Sequence, residues 1–288
     1  MFDVKDLKFT YPKNKDATIK GISFNIKKGE IFGFLGPSGA GKSTTQKLLL
    51  KLLSGAEGLI SFNGTPVDEL GSEFYESVGV SFEMPIHFTK MTALENMTFF
   101  SSLYQQKADI EALMTRVGLW KDKDKLISEY SKGMKIRLNI VRALLNQPTM
   151  LFLDEPTNGL DPKNAMILKD MIREYRDQGG TVFITSHIMS DIEQLCDRVA
   201  FIVDGKIVEL ASPRDLKLRY GKKEVTVEYK DDEGHHKKQS FDMDKKESIN
   251  ELSTFIKTTP FETIHSGETT LEDIFIQVTG VKLRDDHA

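Results

Sequence analysis

The stretch GPSGAGKST, residues Gly36–Thr44, fills every position of the phosphate-binding pattern G-x-x-x-x-G-K-[ST]. The run Ile31–Leu35 before it predicts a buried strand, and the leucines of Leu48–Leu53 after it predict a helix. A strand, a glycine-rich turn and a helix in this order aim backbone N–H groups and the positive end of the helix at one anion. The sequence therefore predicts a phosphate-binding loop.

The residue types of this loop have separate roles in holding a nucleotide. Its glycines allow backbone conformations that turn successive N–H groups inward. We expect Lys42 to lie against the β- and γ-phosphates, and the Ser43 hydroxyl to join the shell of a Mg²⁺ ion. The predicted nucleotide contacts cover the whole loop: Gly36, Pro37, Ser38, Gly39, Ala40, Gly41, Lys42, Ser43 and Thr44.

A second run, LFLDEPTNGLDP at Leu151–Pro162, ends an apolar strand on two adjacent carboxylates. We expect Asp154 to hold the hydrated Mg²⁺ together with Ser43, and Glu155 to activate a water molecule. Taken alone, the two acids could equally cap a helix, because helix N-termini attract acidic side chains. Beside a phosphate-binding loop, they indicate hydrolysis of a nucleotide.

Four further features follow in a fixed order along the chain. Glu83 ends the apolar run VGVSFE, and Tyr130–Met134 (YSKGM) opens a helical pattern. Asn158–Pro162 (NGLDP) follows the two carboxylates directly. His187 follows the β-rich run Thr181–Thr185, with one serine between them. The family to which the loop belongs must be read from these features, because phosphate-binding loops occur in kinases, small GTPases, helicases and transport ATPases.

In this order and spacing the chain resembles the ATP-binding domain of ABC transporters, over about residues 1–220. The resemblance implies that ATP is the nucleotide and that Lys42, Glu155 and His187 form the catalytic set, with His187 contacting the γ-phosphate. It places Glu83 at the Q-loop position, near the metal and the attacking water. Asp161 stands at the D-loop position, although it could also be an ordinary turn residue before a proline.

The resemblance also implies contacts with adenine and with a second copy of the chain. Tyr11 resembles the aromatic residue that stacks on adenine, and its other interpretation is an ordinary strand aromatic. Ser131 and Gly133 belong to the signature, which faces the ATP of a second subunit in a head-to-tail dimer. The partner in that dimer is the same chain or a similar subunit, and integral membrane transporter subunits are expected as separate chains.

The signature and the Q-loop position depart from the family pattern. Tyr130, Lys132 and Met134 replace leucine, glycine and glutamine of the usual Leu-Ser-Gly-Gly-Gln run. Lys132 adds a positive charge, whereas Met134 removes an amide and its hydrogen bonds. Glu83 replaces a glutamine and adds both a Mg²⁺ ligand and repulsion toward the γ-phosphate.

The resemblance implies an α/β fold of the P-loop NTPase type found in ABC ATPases. It has a RecA-like core, an antiparallel β subdomain and a helical subdomain inserted at about residues 84–145 of the 1–220 ATPase domain. Residues 221–288 predict a C-terminal α+β accessory domain, with a strand at Glu224–Tyr229, a turn at Asp231–Gly234 and a hairpin mate at Lys238–Met243. A helix, a strand at Phe261–His265 and a last helix follow.

Composition narrows the function classes. The chain has 288 residues, a formal net charge of −4 and one cysteine. No nucleic-acid partner is expected, because no broad basic face is indicated, and one cysteine excludes a disulfide framework. No run is apolar enough to span a bilayer, and the start MFDVKDLK lacks the character of a signal peptide. We expect a cytoplasmic protein that partners hold at the inner face of the cell membrane.

The most specific functional expectation is an ATP-hydrolysing subunit of an ABC exporter. The closing LEDIFIQVTG resembles the tail of the DrrA-like, ABC-2-type branch, which exports drugs, antibiotics, lipids or peptides. One alternative is a soluble ABC ATPase acting on DNA or ribosomes, and another is a low-activity regulatory subunit. Met84, Pro85, Ile86 and Phe88 either contact a membrane partner or pack under their own subdomain.

Overall fold

The computed structural model describes residues 1–231, 233–267 and 269–281. Asp232 of the predicted turn and residues 282–288 of the predicted accessory domain lie outside the described residues. The chain divides into two compact units, one holding Met1–Pro213 and the other Arg214–Gln277, with the described residues 278–281 counted in the first.

The described residues form strands and helices with the following bounds. The strands are β1 Phe2–Phe9, β2 Ile19–Ile26, β3 Ile31–Leu35, β4 Glu57–Phe62, β5 Thr65–Pro66, β6 Val78–Ser81, β7 Met150–Asp154, β8 Thr181–Ser186, β9 Arg198–Val203, β10 Lys206–Ala211, β11 Glu224–Lys230, β12 His236–Asp242 and β13 Thr263–Gly267. The helices are α1 Lys42–Leu49, α2 Glu73–Ser77, α3 Ala93–Ser102, α4 Ile110–Arg116, α5 Lys132–Ala143, α6 Pro162–Asp177, α7 Met189–Leu195, α8 Pro213–Tyr220, α9 Lys246–Thr258 and α10 Leu271–Thr279.

The main sheet of the first unit has the strand order β10-β9-β3-β8-β7-β6. Strand β3 runs parallel to β8 and β9, and β7 runs parallel to β6 and β8. The register pairs Leu35 with Ser186 and Asp154 with Thr185. Because parallel strands end at the same edge, the segments that follow β3, β7 and β8 meet there, where α/β sheets bind their ligands.

A second, antiparallel sheet of order β2-β1-β4-β5 packs against the main sheet. Aromatic side chains from both sheets share one core cluster, including Phe2, Phe24, Phe32 and Phe152. The rings of Phe24 and Phe32 stack with centroids 5.6 Å apart, and Phe2 meets Phe152 edge-on at 5.8 Å. Burying several aromatic rings at native density fixes the two sheets as one body.

The region between β6 and α5 is helical, as the sequence predicts. Helix α3 begins at a capping box in which Thr92 and Glu95 satisfy each other's backbone N–H groups. Helices α3 and α4 both pack against α5. Among the described residues, no helix combines the length and apolar character needed to cross a bilayer.

The leucine pattern after the phosphate-binding loop predicts a longer helix than the structure contains. Helix α1 ends at Leu49, and Lys51 takes the left-handed conformation with a φ of 58°. The helix does not continue past this residue, and Leu52 is 52% exposed instead of continuing the buried face. The helix prediction is correct for Leu48 and Leu49 and wrong for Leu52 and Leu53.

The second unit is a small α+β structure. Strand β11 lies between β12 and β13, antiparallel to both. Helix α9 packs on this sheet, where Leu252 joins Val227 and Phe241 in a core of their own. The hairpin prediction is confirmed, but the mate begins at His236, two residues before the predicted start. The last strand begins at Thr263 because residues 263–267 are the ones that pair with β11.

One close approach in the main sheet generates a stability prediction. A Cβ at Gly79 of β6 would lie 1.9 Å from the Ala143 carbonyl oxygen of α5. We expect Gly79→Ala to lower the free energy of unfolding by about 1–3 kcal/mol, the range for overpacking, in urea titrations followed by circular dichroism. Gly133→Ala in α5 is the control, because its Cβ would meet Leu160 at an ordinary 3.5 Å. Equal losses in both variants would contradict the steric explanation.

Candidate active site

The phosphate-binding loop has the backbone conformations that its glycines permit. Gly39 and Gly41 have φ angles of 78° and 106°, which residues with a Cβ rarely adopt. A Cβ at Gly36 would lie 2.1 Å from the Ile202 carbonyl oxygen on the neighbouring strand β9. The loop therefore depends on glycine both for its turns and for its approach to the sheet.

Lys42 lies buried inside the loop. Its Nζ donates to the carbonyl oxygens of Gly36 at 2.6 Å and Pro37 at 3.3 Å. Burial lowers the pKa of Lys42, while the charges of Glu155 and Asp154 act in the opposite direction. The lysine is thus held by the same loop whose N–H groups attract an anion, at the end of β3 and the start of α1. A phosphate bound there would find the ammonium group already in place.

Asp154 is surrounded by oxygen donors. Thr185 Oγ1 donates to Asp154 Oδ1, and Ser43 Oγ donates to the same atom at 3.4 Å. Burial raises the pKa of Asp154, because its charged form loses hydration. A hydroxyl and a carboxylate are oxygen donors of the kind that Mg²⁺ prefers. Ser43 and Asp154 therefore fit the ion that the sequence predicts at this place.

Glu155 is buried and held by the residues that follow β8. Its N–H donates to Thr185 O at 3.0 Å, and the residue adopts a φ of 49°, unusual for a side chain of this size. Its Oε2 accepts from Ser186 Oγ at 3.1 Å and from the His187 N–H at 3.2 Å. The carboxylate is fixed beside Asp154 and next to the phosphate-binding loop.

His187 meets the same carboxylate with its ring. Nδ1 lies 2.9 Å from Glu155 Oε2, while the His187 side chain is 41% exposed. The hydrogen bond to Glu155 raises the pKa of His187, and burial opposes this effect. The structure thus brings together the three residues predicted to be catalytic, since Glu155 also influences the charge of Lys42.

Glu83 lies at the exposed end of the segment after β6. Asn158 Nδ2 donates to Glu83 Oε1 at 3.4 Å. The charge of Glu83 also favours the protonated forms of Lys42 and His187, as a minor contribution at both. Glu83 therefore lies within electrostatic range of the phosphate site, and its predicted role as a Mg²⁺ ligand stays a prediction.

Tyr11 lies beside the start of α1. Its hydroxyl and Thr44 Oγ1 are 3.2 Å apart, and its ring meets Phe9 edge-on with centroids 4.9 Å apart. Tyr11 is thus placed next to the phosphate-binding loop by a hydrogen bond to one of the loop's own residues. Stacking on adenine stays a prediction.

The signature residues are separate from the rest of the site within one chain. Ser131 is the N-cap of α5, where its hydroxyl accepts from the Met134 N–H at 3.2 Å. In the described part of the chain, no hydrogen bond or ion pair joins Ser131 or Gly133 to the loop of residues 36–44. Asp161 is the N-cap of α6, where its side chain accepts a hydrogen bond from Asn164 N at 3.1 Å. Within one chain, Asp161 is therefore a residue of the turn that precedes the helix.

Sequence reasoning missed three side chains that organise the site. Thr185 and Ser186 hold Asp154 and Glu155, and the signal available was a polar end on an otherwise apolar run. Asn139 is buried in the apolar face of α5 and donates to Ser81 Oγ and Phe82 O, both at 2.9 Å. A lone asparagine in a buried helical stripe is a recognisable signal, because buried polar groups need partners.

The segment after Glu83 exposes its apolar side chains. Met84 is 78% exposed, Ile86 74% and Phe88 48%. The interpretation that these side chains pack under their own subdomain is therefore wrong for Met84 and Ile86, whereas Phe88 also meets the rings of Phe99 and Phe100 in the helical region. His87 between them turns inward, where its Nε2 lies 3.3 Å from Lys135 O, and burial lowers its pKa to about 4. Arg142 of α5 donates to Ile86 O, so α5 holds this segment at two adjacent residues.

Comparison with known proteins identifies the family. The family model described as ABC transporter matches residues 19–158. A fluoroquinolones export ATP-binding protein of Mycobacterium tuberculosis is 47% identical over 281 residues, which cover 97% of this chain and 93% of the relative. The chain belongs to the ABC transporter family of ATP-binding proteins.

Two further likenesses agree with this assignment. A lantibiotic transport ATP-binding protein of Streptococcus pyogenes is 36% identical over 209 residues, covering 72% of this ATPase and 89% of the relative. A solved structure of the ATP-binding subunit of an ABC transporter has a TM-score of 0.71 at 26% identity, covering 77% of this chain and 93% of that one. The predicted fold class is confirmed, as are ATP as the nucleotide and ATP hydrolysis as the reaction.

The contact between Glu155 and His187 predicts a pH dependence. Because Glu155 raises the pKa of His187, the charged imidazole stabilises the folded ATPase below the usual value of about 6.5. This contribution is lost as the pH rises through the raised pKa. We expect Glu155→Gln to lower the pKa of His187 toward its usual value, measured by NMR titration of the ring protons without nucleotide. Glu83→Gln is the control and should lower it less; an unchanged value in Glu155→Gln would contradict the assignment.

Proposed function

We propose that this ATPase energises an ABC exporter as a head-to-tail dimer bound to separate membrane subunits. The observation that carries the proposal is the meeting of Lys42, Asp154, Glu155 and His187 at one edge of the main sheet. Residues 1–220 would form the ATPase domain, with the helical subdomain at about 84–145, and residues 221–288 the accessory domain.

ATP binding uses groups that the structure already orders. The loop N–H groups and Lys42 would hold the β- and γ-phosphates, and Tyr11 would stack on adenine. Lys42 exchanges its carbonyl partners for phosphate oxygens, so that its charge is neutralised by the ligand instead of by dipoles. Ser43 and Asp154, with Glu83 nearby, would hold Mg²⁺, which supplies charge neutralisation on the phosphates when bound.

Hydrolysis depends on the Glu155 carboxylate. Glu155 orients a water and accepts its proton while the water oxygen attacks the γ-phosphorus, and the bond to the β,γ-bridging oxygen breaks to give ADP and phosphate. In the structure described here, His187 and Ser186 occupy this carboxylate through three contacts of 2.9–3.2 Å. A γ-phosphate that engages the His187 ring would free Glu155 for the water.

The dimer follows from the position of the signature. Ser131 presents its hydroxyl at the N-terminus of α5, which attracts anions. Within the described residues of one chain, this terminus makes no polar contact with the phosphate-binding loop. A second copy arranged head to tail would bring Ser131 and Gly133 of one subunit to the γ-phosphate held by the other. Two ATP molecules would then join the dimer, and hydrolysis would let it reopen.

The membrane partner would meet the exposed apolar segment. Met84, Ile86 and Phe88 are exposed, as are Phe99 of α3 and Leu103 at its C-terminal cap, by 43% and 62%. The rings of Phe88 and Phe99 meet edge-on at 5.2 Å, so the exposed segment and α3 adjoin at these two residues. An amphipathic helix from a membrane subunit fits a face of this kind.

The exported substrate class is proposed from the relatives. One relative is named for fluoroquinolone export and another for lantibiotic transport. We propose that the exporter moves an amphipathic drug, antibiotic, lipid or peptide. These relatives favour an exporter over a soluble ATPase that acts on DNA or ribosomes.

Glu155→Gln tests the hydrolysis mechanism. The variant keeps the size and hydrogen-bonding shape of the side chain but cannot accept the proton. We expect it to bind ATP with at most a few-fold change in Kd, to lose roughly 100-fold or more in kcat, as removal of a general base does, and to accumulate ATP-bound dimers by size-exclusion chromatography. Unchanged turnover would overturn the assignment of Glu155. Glu193→Gln, a carboxylate on α7 beyond His187, serves as the control and should keep turnover.

Ile86→Ser tests the partner face. Ile86 is exposed and its backbone is held by Arg142, so the change removes apolar area without disturbing the fold. We expect the isolated variant to keep its ATPase rate and to lose most of its co-purification with the membrane subunits. Leu59→Ser, an exposed position on β4, should retain the membrane subunits. Loss of co-purification by both variants would contradict the location of the face.

A further inference from the structure

Two departures from the family pattern line the same groove. Glu83 stands where the pattern has glutamine, and Lys132 stands where it has glycine. One replacement adds a negative charge and the other a positive charge. The groove is lined by Glu83, Met84, Pro85, Lys132, Lys135 and Asn158. Opposite charges have therefore been introduced at two positions that are 49 residues apart in sequence and adjacent in the fold.

A two-residue turn links the charged side chains. Asn158 Nδ2 donates to Glu83 Oε1 at 3.4 Å. The next residue, Gly159, has a φ of 81°, and a Cβ built there would lie 2.9 Å from both Cε and Nζ of Lys132. The ammonium end of Lys132 thus rests on Gly159 while Glu83 is bound by its neighbour. A larger residue at position 159 would displace the lysine.

The two charges are close without forming a direct ion pair. In the ranges that the structure describes, neither Glu83 nor Lys132 has an oppositely charged atom within 4.0 Å. Both side chains are exposed on the groove wall. Exposed opposite charges that are not in direct contact attract each other through solvent. This attraction is weak, and added salt reduces it further.

We propose that Glu83 and Lys132 act as a coupled charge pair across the Asn158–Gly159 turn, in which Lys132 offsets the carboxylate that replaces the family's glutamine. The pair rests on the proposed function, because its role is to limit the repulsion between Glu83 and the ATP phosphates. Lys132 is then a positioning residue for the phosphate site of its own chain. It acts through Glu83, whose charge reaches Lys42 and His187.

The pair connects two sites that are separate within one chain. Lys132 belongs to the signature, whereas Glu83 borders the phosphate site of the same subunit. When Lys132 turns to the γ-phosphate of the opposite subunit, Glu83 loses its compensating charge. The repulsion between Glu83 and its own ATP phosphates then grows. Occupation of one composite site would thereby weaken the hold on the ATP in the other.

A double-mutant cycle tests the pair. Glu83→Gln, Lys132→Gln and the double variant are prepared in the Glu155→Gln background, and the Kd for Mg-ATP is measured by calorimetry. We expect Lys132→Gln to weaken ATP binding about two- to fivefold when Glu83 is present, the range that exposed opposite charges give. When Glu83→Gln is also present, the same change should have a clearly smaller effect, and what remains is the direct contact of Lys132 with the ATP of the opposite subunit. The coupling should shrink at high salt, because the Debye length falls from about 10 Å at 0.1 M to about 3 Å at 1 M.

Lys135→Gln is the matched control. Lys135 lines the same groove one helical turn further along α5 but does not lie on Gly159. Its removal should change the Kd by the same factor whichever residue stands at position 83. An equal factor for Lys132→Gln with and without the Glu83→Gln change would overturn the pair. A coupling for Lys135 as large as that for Lys132 would also overturn it, because the effect would then come from the total charge of the groove and not from a specific pair.

Two further measurements separate this proposal from its foundation. Thermal unfolding without nucleotide should be the same in the variants of Glu83 and Lys132, because both side chains are exposed. Failure of the proposed mechanism would appear as full turnover in Glu155→Gln alone, whereas failure of the pair would appear only in the Kd cycle. In the protein that keeps Glu155, loss of Lys132 should raise KM for ATP more than it lowers kcat.

Discussion

The site depends on the parallel register of β3, β8 and β7. Backbone hydrogen bonds pair Leu35 with Ser186 and Asp154 with Thr185, which brings the ends of three strands to one level. A slip by one residue would turn Asp154 to the other face of the sheet. The aromatic core between the two sheets prevents such a slip, because Phe32, Phe152 and Phe183 of the same strands are fully buried.

This register concentrates like charges at a buried edge, and the site is organised to tolerate them. Asp154 and Glu155 are adjacent and buried, and each would repel the other's ionised form. Hydroxyl donors from Thr185 and Ser43 favour the charged form of Asp154. Ser186 and the backbone N–H of His187 donate hydrogen bonds to Glu155. Lys42 is the nearby cation. The polar residues at the end of β8 are therefore as necessary as the two carboxylates.

Much of the fold and of the site could be predicted from the sequence, for physical reasons that differ between elements. The phosphate-binding loop was predictable because Gly36 and Gly41 meet steric demands that no other residue meets. The end of α1 was not, because the left-handed turn at Lys51 has no glycine to mark it. The contact of His187 with Glu155 was also out of reach, since it depends on which strands are neighbours. Spacing within a motif is local information, whereas strand order is not.

The departures from the family pattern gain meaning only when the fold is considered. On their own, Glu83 and Lys132 are two unfavourable changes, one adding repulsion toward phosphate and one reducing backbone freedom at the signature. The fold places both on one groove and connects them through Asn158 and Gly159. A carboxylate near the phosphates is more easily tolerated when a cation lies on the same groove, because the positive charge offsets part of the repulsion. In the proposed head-to-tail dimer, the same cation would belong to the signature that faces the ATP of the other subunit, so the charge balance of one phosphate site would depend on the occupation of the other.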